Sequence, residues 1–285
     1  MKKGLRVIIG IGIVLLLLII GLAIYNKIAN AHFTTTYYEV ETEKLSQDVK
    51  LVVLSDLHNQ EYGEKNWELV SAIRAEEPDF IVMCGDMVKE TEPDISVLLN
   101  LCRDLTDIAD VYFLYGNHEG VLEFAEKGAK VAISESIAEE GVHVCWPGDY
   151  EITVGEDVID FFSISISEEN YRNDRQIQNA FEDFLGKDTY KIAASHYPQI
   201  FYDTFPDEDY DLAIAGHFHG GQIILPGIGG LYHTDTGFFP KYYGGEYQLG
   251  KGTLIISRGL GNSSFVPRIN NRPELVVITI ANKED

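Results

Sequence analysis

Five short apolar runs in this chain each end on a side chain able to bind a metal. Leu51-Val52-Val53-Leu54-Ser55 runs into Asp56, and Phe80 to Cys84 runs into Gly85-Asp86. Val111 to Tyr115 leads to Gly116-Asn117-His118. Ile192 to Ser195 leads to His196, and Leu212 to Ala215 leads to Gly216-His217. Apolar runs of this length alternate with amphipathic stretches, which predicts α/β layers with strands buried on both faces. Strands are expected at 37–41, 50–55, 79–84, 111–115, 142–146, 158–164, 190–195, 211–215, 253–257 and 275–280. Helices are expected at 64–76, 94–104, 122–139 and 175–185, with Trp67 counted among the core residues of the first. Ligands of open α/β sheets sit beyond the carboxyl ends of strands, which is where these polar residues fall.

The set comprises Asp56, His58, Asp86, Asn117, His118, His196, His217 and His219, five of the chain's eight histidines. Carboxylate, amide and imidazole donors without thiolate suit Mn, Fe or Zn at five or six coordination. Asp56-x-His58 and His217-x-His219 each put two donors on one side of an extended segment, because side chains alternate with period two. Any one of these pieces has an ordinary structural explanation, a turn or a packed histidine. The run Gly216-His217-Phe218-His219-Gly220-Gly221 is the hardest to explain that way. Cys84, Cys102 and Cys145 match no metal-binding spacing, and an odd number cannot fully pair within one chain; no disulfide framework follows, and a small buried thiol is expected at Cys84.

The order Asp56-Leu57-His58, Gly85-Asp86, Gly116-Asn117-His118-Glu119, His196 and Gly216-His217-Phe218-His219 resembles the calcineurin-like metallophosphoesterase superfamily. The fourth histidine follows Ser195 where the family often has glycine. The segment His219-Gly220-Gly221-Gln222 and the tail from Arg258 to Glu274 look like its bacterial, membrane-associated branch, which includes phosphodiesterases and enzymes acting on nucleotide-linked lipids. The resemblance implies a central β-sandwich of two mixed sheets flanked by helices. It implies two divalent ions, the first held by Asp56, His58, Asp86 and His219 and the second by Asp86, Asn117, His196 and His217. His118 would stay off the metals and protonate the leaving group. Glu119 either orients His118 or is a solvated neighbour.

Such a site hydrolyses a phosphoester without a covalent nucleophile, since paired metals activate water and neutralise phosphoryl oxygens. A phosphodiesterase or pyrophosphatase acting on a lipid- or nucleotide-linked substrate is expected; a phosphomonoesterase and a non-catalytic metal-binding surface domain are the alternatives. Arg258, Arg268 and Arg272 are candidates for contacts to substrate phosphate. The segment 226–250, rich in glycine and aromatics, is a candidate substrate wall or lid, and His233 within it has no assigned role.

Val7 to Tyr25 is a run of nineteen residues without a charge, preceded by Lys2, Lys3 and Arg6 and followed closely only by Lys27. Its length approaches that of a bilayer's hydrocarbon core. The cationic flank predicts a cytoplasmic N-terminus and an extracytoplasmic domain. Ala29-Asn30-Ala31 has the small-x-small form of a signal peptidase site, so cleavage is the alternative to a retained anchor. The expected division is an anchor at 1–32 and one phosphoesterase domain at 33–285. Beyond residue 28 the chain carries 18 cations against 45 acids, a net of −27. A surface that acidic repels phosphate backbones, so no nucleic-acid polymer is expected as a partner; the expected partners are a phosphoester substrate and the lipid bilayer.

Overall fold

A computed structural model describes residues 2–124, 131–164, 174–263 and 266–283. The first element is α1 (Lys2–Ala29). Within it, Ile8–Ala29 is long and apolar enough to cross a membrane, and its most apolar eighteen residues are not buried against the rest of the chain. The domain follows with β1 (Thr34–Thr42), β2 (Val49–Leu54), α2 (Trp67–Glu76), β3 (Phe80–Cys84), α3 (Ser96–Thr106) and β4 (Asp110–Leu114). Next come α4 (Asn117–Phe124), α5 (Ile133–Glu139), β5 (His143–Val144), β6 (Gly148–Val154) and β7 (Asp157–Ser163). Then follow α6 (Arg175–Leu185), β8 (Tyr190–Ala194) and β9 (Leu212–Ala215). Two ribbons, β10–β11 (Ile224–Leu225, Gly229–Gly230) and β12–β13 (Tyr232–His233, Gly237–Phe238), lead to β14 (Gly245–Leu249), β15 (Gly252–Ile256) and β16 (Glu274–Asn282).

The strands form two six-stranded mixed sheets. The first runs β1-β16-β2-β3-β4-β5 and the second β14-β15-β9-β8-β7-β6. In the first sheet β2, β3, β4 and β5 are parallel, while β16 is antiparallel to β2 and parallel to β1. In the second, β7, β8, β9 and β15 are parallel, with antiparallel β6 and β14 at the edges.

Period-two alternation sorts each buried strand between two cores. Leu51, Val53, Phe80 and Val82 face Phe161, Ile192, Ile214 and Ile255 across the sandwich. Val52, Leu54, Ile81 and Met83 point outward onto α2, α3 and α5 through Leu69, Ile73, Leu98, Leu101 and Ile137. On the opposite side Phe162, Ala193 and Ala213 pack beneath Phe181 and Phe184 of α6. The order of layers is therefore helix, sheet, sheet, helix.

Every expected strand is present. The expected helix at 122–139 is two helices, α4 and α5, and residues 125–130 between them lie outside the described residues. Trp67 is a correction: it is 58% exposed, because α2 turns Leu69, Val70 and Ile73 to the sheet and leaves the indole lying over Gly63. All three cysteines are buried and free, Cys84 as expected.

Candidate metal centre

Parallel strands of both sheets end at one edge, and short loops there carry the polar residues. The loops are stitched together by their backbones. Asp56 N–H donates to Gly85 O (2.9 Å) and His58 N–H to Asp86 O (3.1 Å). Across the sandwich, His217 N–H donates to Asp56 Oδ2 (3.1 Å). Gly85 and Gly116 touch: a Cβ on Gly85 would lie 2.6 Å from Gly116 N and 2.8 Å from His196 Nδ1. No larger residue leaves the loops after β3 and β4 this close.

The loops hold five non-glycine site residues in the left-handed backbone region: Asp56 (φ 52°), His58 (48°), Asp86 (56°), His217 (71°) and His219 (48°). Such conformations cost on the order of 1–3 kcal/mol each and cluster where side chains must be aimed.

Four groups of donors result among the described residues, and two of them fall within the predicted ligand sets. In the first, Asp56, His58 and His219 converge, with His58 Nε2 3.2 Å from His219 Nε2 and His219 Nε2 3.5 Å from Asp56 Oδ1. In the second, Asp86, His196 and His217 converge, with His196 Nε2 3.3 Å from Asp86 Oδ2 and 3.1 Å from His217 Nδ1. Asp86 Oδ2 is also 3.9 Å from His58 Nε2, so it stands between the groups. Asn117 sits between Gly116 and His118, both of which touch Asp86, and its Oδ1 is buried without a hydrogen-bond partner.

Tautomers explain why nitrogen faces nitrogen. His58 Nδ1–H donates to Val88 O (3.2 Å), and His196 Nδ1–H donates to Cys84 O (2.9 Å). Each neutral ring therefore turns an unprotonated Nε2 into the cluster. Those lone pairs face a buried carboxylate oxygen, Asp86 Oδ2, 3.9 Å from His58 Nε2 and 3.3 Å from His196 Nε2, and such a pocket of acceptors favours a cation. Asp56 Oδ1 is likewise buried without a hydrogen bond. The donor set therefore fits divalent metal ions.

At the first group the electrostatics agree. Burial lowers the pKa of His58 to about 4, against the pull of Asp86 and Asp56. Burial also lowers His219 well below the usual imidazole range, and both rings are held neutral, as a ligand must be. Burial opposes charge on His196, but Asp86 and Asp56 overcome it and raise that ring to about 10. Burial would raise Asp86, yet His196, His58 and His118 hold it below the usual carboxylate range.

His118 converges with His58 and Asp86 in a further group, its Nε2 3.7 Å from Asp86 Oδ2, and its Nδ1 accepts from Glu90 N–H (2.9 Å). Glu119 does neither of the things expected of it. It is fully buried and accepts from the N–H groups of Asp86 (2.8 Å), Met87 (2.7 Å), Val88 (3.2 Å) and Gly116 (2.9 Å), pinning one site loop to the next. Burial and the neighbouring Asp86 raise its pKa to about 7.

Of the three arginines, Arg268 touches the cluster, with Nη2 3.1 Å from His219 Nδ1 and its Nη1 buried without a partner. Arg258 is paired with buried Glu274 (2.8 Å). Arg258 and Arg272 line a cavity of about 350 Å³ with Tyr25 and Asn26 at the end of α1. A group with no sequence signal adjoins the site: Asp235 Oδ2 is 2.8 Å from His217 Nε2, and the buried ring of His233 lies 4.9 Å from that of His217.

The sequence model of the calcineurin-like phosphoesterase family matches residues 49–221. An uncharacterized metallophosphoesterase of Aquifex aeolicus is 25% identical over 278 residues, 92% of this chain and 97% of its own. The metallophosphoesterase YkuE of Bacillus subtilis is 27% identical over 239 residues, 81% and 78% of the two chains. Phosphodiesterase YaeI of Escherichia coli is 25% identical over 236 residues, 81% and 82%. The match spans both donor groups, from β2 through His219, and on that ground the chain belongs to the calcineurin-like phosphoesterase family and is a metal-dependent phosphoester hydrolase.

Proposed function

We propose that the chain is a two-metal phosphodiesterase or pyrophosphatase acting at a membrane on a lipid- or nucleotide-linked substrate. The observation that carries this reading is the pair of donor groups with Asp86 between them. Asp56, His58, Asp86 and His219 would hold one ion, and Asp86, Asn117, His196 and His217 the other, each Mn, Fe or Zn. Ions held there supply an activated water and neutralise phosphoryl oxygens.

The remaining chemistry belongs to the chain. Because Nδ1 of His118 accepts from Glu90 N–H, the proton of the neutral ring sits on Nε2, the nitrogen facing Asp86. His118 is thereby placed to hydrogen-bond a departing alkoxide through Nε2–H, and in its protonated form it gives the alkoxide the Nε2 proton and returns to the neutral ring. Arg268 supplies positive charge at the rim of the first group. Arg258, already matched by Glu274, and Arg272 serve better at the membrane-side cavity.

The lipid part of the proposal rests on two cavities. One, of about 360 Å³, opens beside His219 and is lined by Ile223, Leu231, Tyr232, Phe238 and Val266, a wall suited to an apolar moiety. The other, of about 680 Å³, lies between Leu22–Ala31 and the segment Leu260–Pro273 that carries Arg268. Asn30 Nδ2 donates to Arg268 O (2.8 Å), so the end of α1 abuts that segment. In this reading residues 1–32 are the anchor and 33–285 the phosphoesterase domain.

The test is a screen of the full-length protein in detergent, loaded with Mn, Fe or Zn. Two ions per chain are expected, with phosphodiester or pyrophosphate turnover exceeding phosphomonoester turnover. A preference for monoesters would overturn the diesterase reading, and a metal-free protein after growth in supplemented medium would overturn the whole scheme.

Topology is checked separately. Carbonate washing should leave the protein in membranes, and protease added to intact cells should digest the domain, as the Lys2, Lys3, Arg6 flank requires. Protection until the cells are opened would reverse the orientation.

A further inference from the structure

We infer that Asp235 is the positioning residue of His217, fixing its tautomer so that Nδ1 is offered to the second metal ion. The inference rests on the two-metal reading above. Its basis is a contrast among the histidines of the site. His58 and His196 donate their outer N–H groups to the backbone carbonyls of Val88 and Cys84, which no side-chain replacement removes. His217 instead leans on a side chain: Nε2–H donates to Asp235 Oδ2 at 2.8 Å, while Nδ1 faces His196 Nε2 at 3.1 Å.

Packing alone does not choose this state. The His217 ring is confined by His196, Tyr197 and His233, with centroids 4.8, 5.0 and 4.9 Å away. Those flat neighbours hold its plane but accept either tautomer. A carboxylate at Nε2 selects the tautomer protonated on that nitrogen and leaves the lone pair on Nδ1.

Asp235 is itself held in place. Gln199 Nε2 donates to its Oδ2 (3.0 Å), Thr234 Oγ1 to its Oδ1 (3.2 Å), and its own N–H donates to His233 Nδ1 (3.2 Å). The β12–β13 ribbon is thereby tied to the loop bearing His196 as well as to His217. The Asp235 side chain is 43% exposed, so shortening it opens no internal void.

The test measures Mn²⁺ affinity of the detergent-solubilised full-length protein by competition with a chelator, comparing wild type with Asp235→Ala and Asp235→Asn. Loss of a ligand's hydrogen-bonding partner typically costs 10–100-fold in metal affinity. Asp235→Ala should weaken the second ion by about 10–100-fold and leave the first within about twofold. Asp235→Asn keeps an acceptor oxygen and should fall between, a graded rescue that a merely structural role would not give. Phe239→Ala, an exposed position just past the same ribbon, should change neither affinity. Unchanged binding in Asp235→Ala, equal weakening of both ions, or the same loss in Phe239→Ala would overturn the inference. A wild-type protein binding fewer than two ions would overturn it together with the two-metal reading, whereas the first three outcomes leave that reading intact.

Discussion

Asp86→Ala should abolish turnover and strip metal from both positions. Its Oδ2 lies 3.3 Å from His196 Nε2, 3.7 Å from His118 Nε2 and 3.9 Å from His58 Nε2, and its Oδ1 accepts from His118 N–H (2.9 Å). No other carboxylate among the described residues stands between the two donor groups in this way. An outer-shell partner costs 10–100-fold when lost, so a ligand shared by two ions should cost more than about 10³-fold in kcat/KM. Thermal melting gives a second readout. A ligand at 100 times its Kd stabilises the folded state by about 2.7 kcal/mol. Added Mn²⁺ should therefore raise the Tm of the wild type and leave that of Asp86→Ala nearly flat. Two ions retained in Asp86→Ala, by elemental analysis, would show that the carboxylate does not bridge.

For His118→Asn the expected pattern is different: metal content close to wild type, with a loss that depends on the leaving group. A positioned general acid is worth about 10²–10⁴-fold. Alkyl phosphodiesters should lose that much, and aryl phosphodiesters, whose leaving groups need little protonation, much less. The geometry behind this is the Glu90 N–H, which occupies Nδ1 and leaves Nε2–H turned toward Asp86. His217→Asn should instead lose metal and all substrates together. Equal losses on aryl and alkyl substrates in His118→Asn, or a missing ion, would mean that His118 has another role.

Much of this site was legible because its residues follow apolar strands directly. A run such as Phe80 to Cys84 can only be a buried strand, so the position of Asp86 at its end follows from local pattern alone. Legibility failed where the partner is remote. Glu119 reads as a polar residue near a turn, yet its four N–H donors come largely from the loop after β3. Asp235 lies in a glycine- and aromatic-rich stretch with no period to place it opposite His217. The left-handed backbones of Asp56, His58 and Asp86 had no glycine to signal them. Strands β6 and β14 were missed because edge strands carry charged and polar residues, and Gly148–Val154 and Gly245–Leu249 show no apolar run. Trp67 was misplaced because helical spacing fits two faces of α2, and only the sheet decides which is covered.

The last strand, β16, lies between β1 and β2, the first two strands of the domain. Its nine-residue parallel ladder with β1 is the partner that holds the segment just after α1. A nascent chain leaving the ribosome at about 5–20 residues per second therefore keeps β1 and β2 waiting for on the order of tens of seconds until β16 is made. During that interval the open edge of β2 is a template for pairing with other chains. A truncation that removes β16 should be as harmful to this protein as one within β1 or β2.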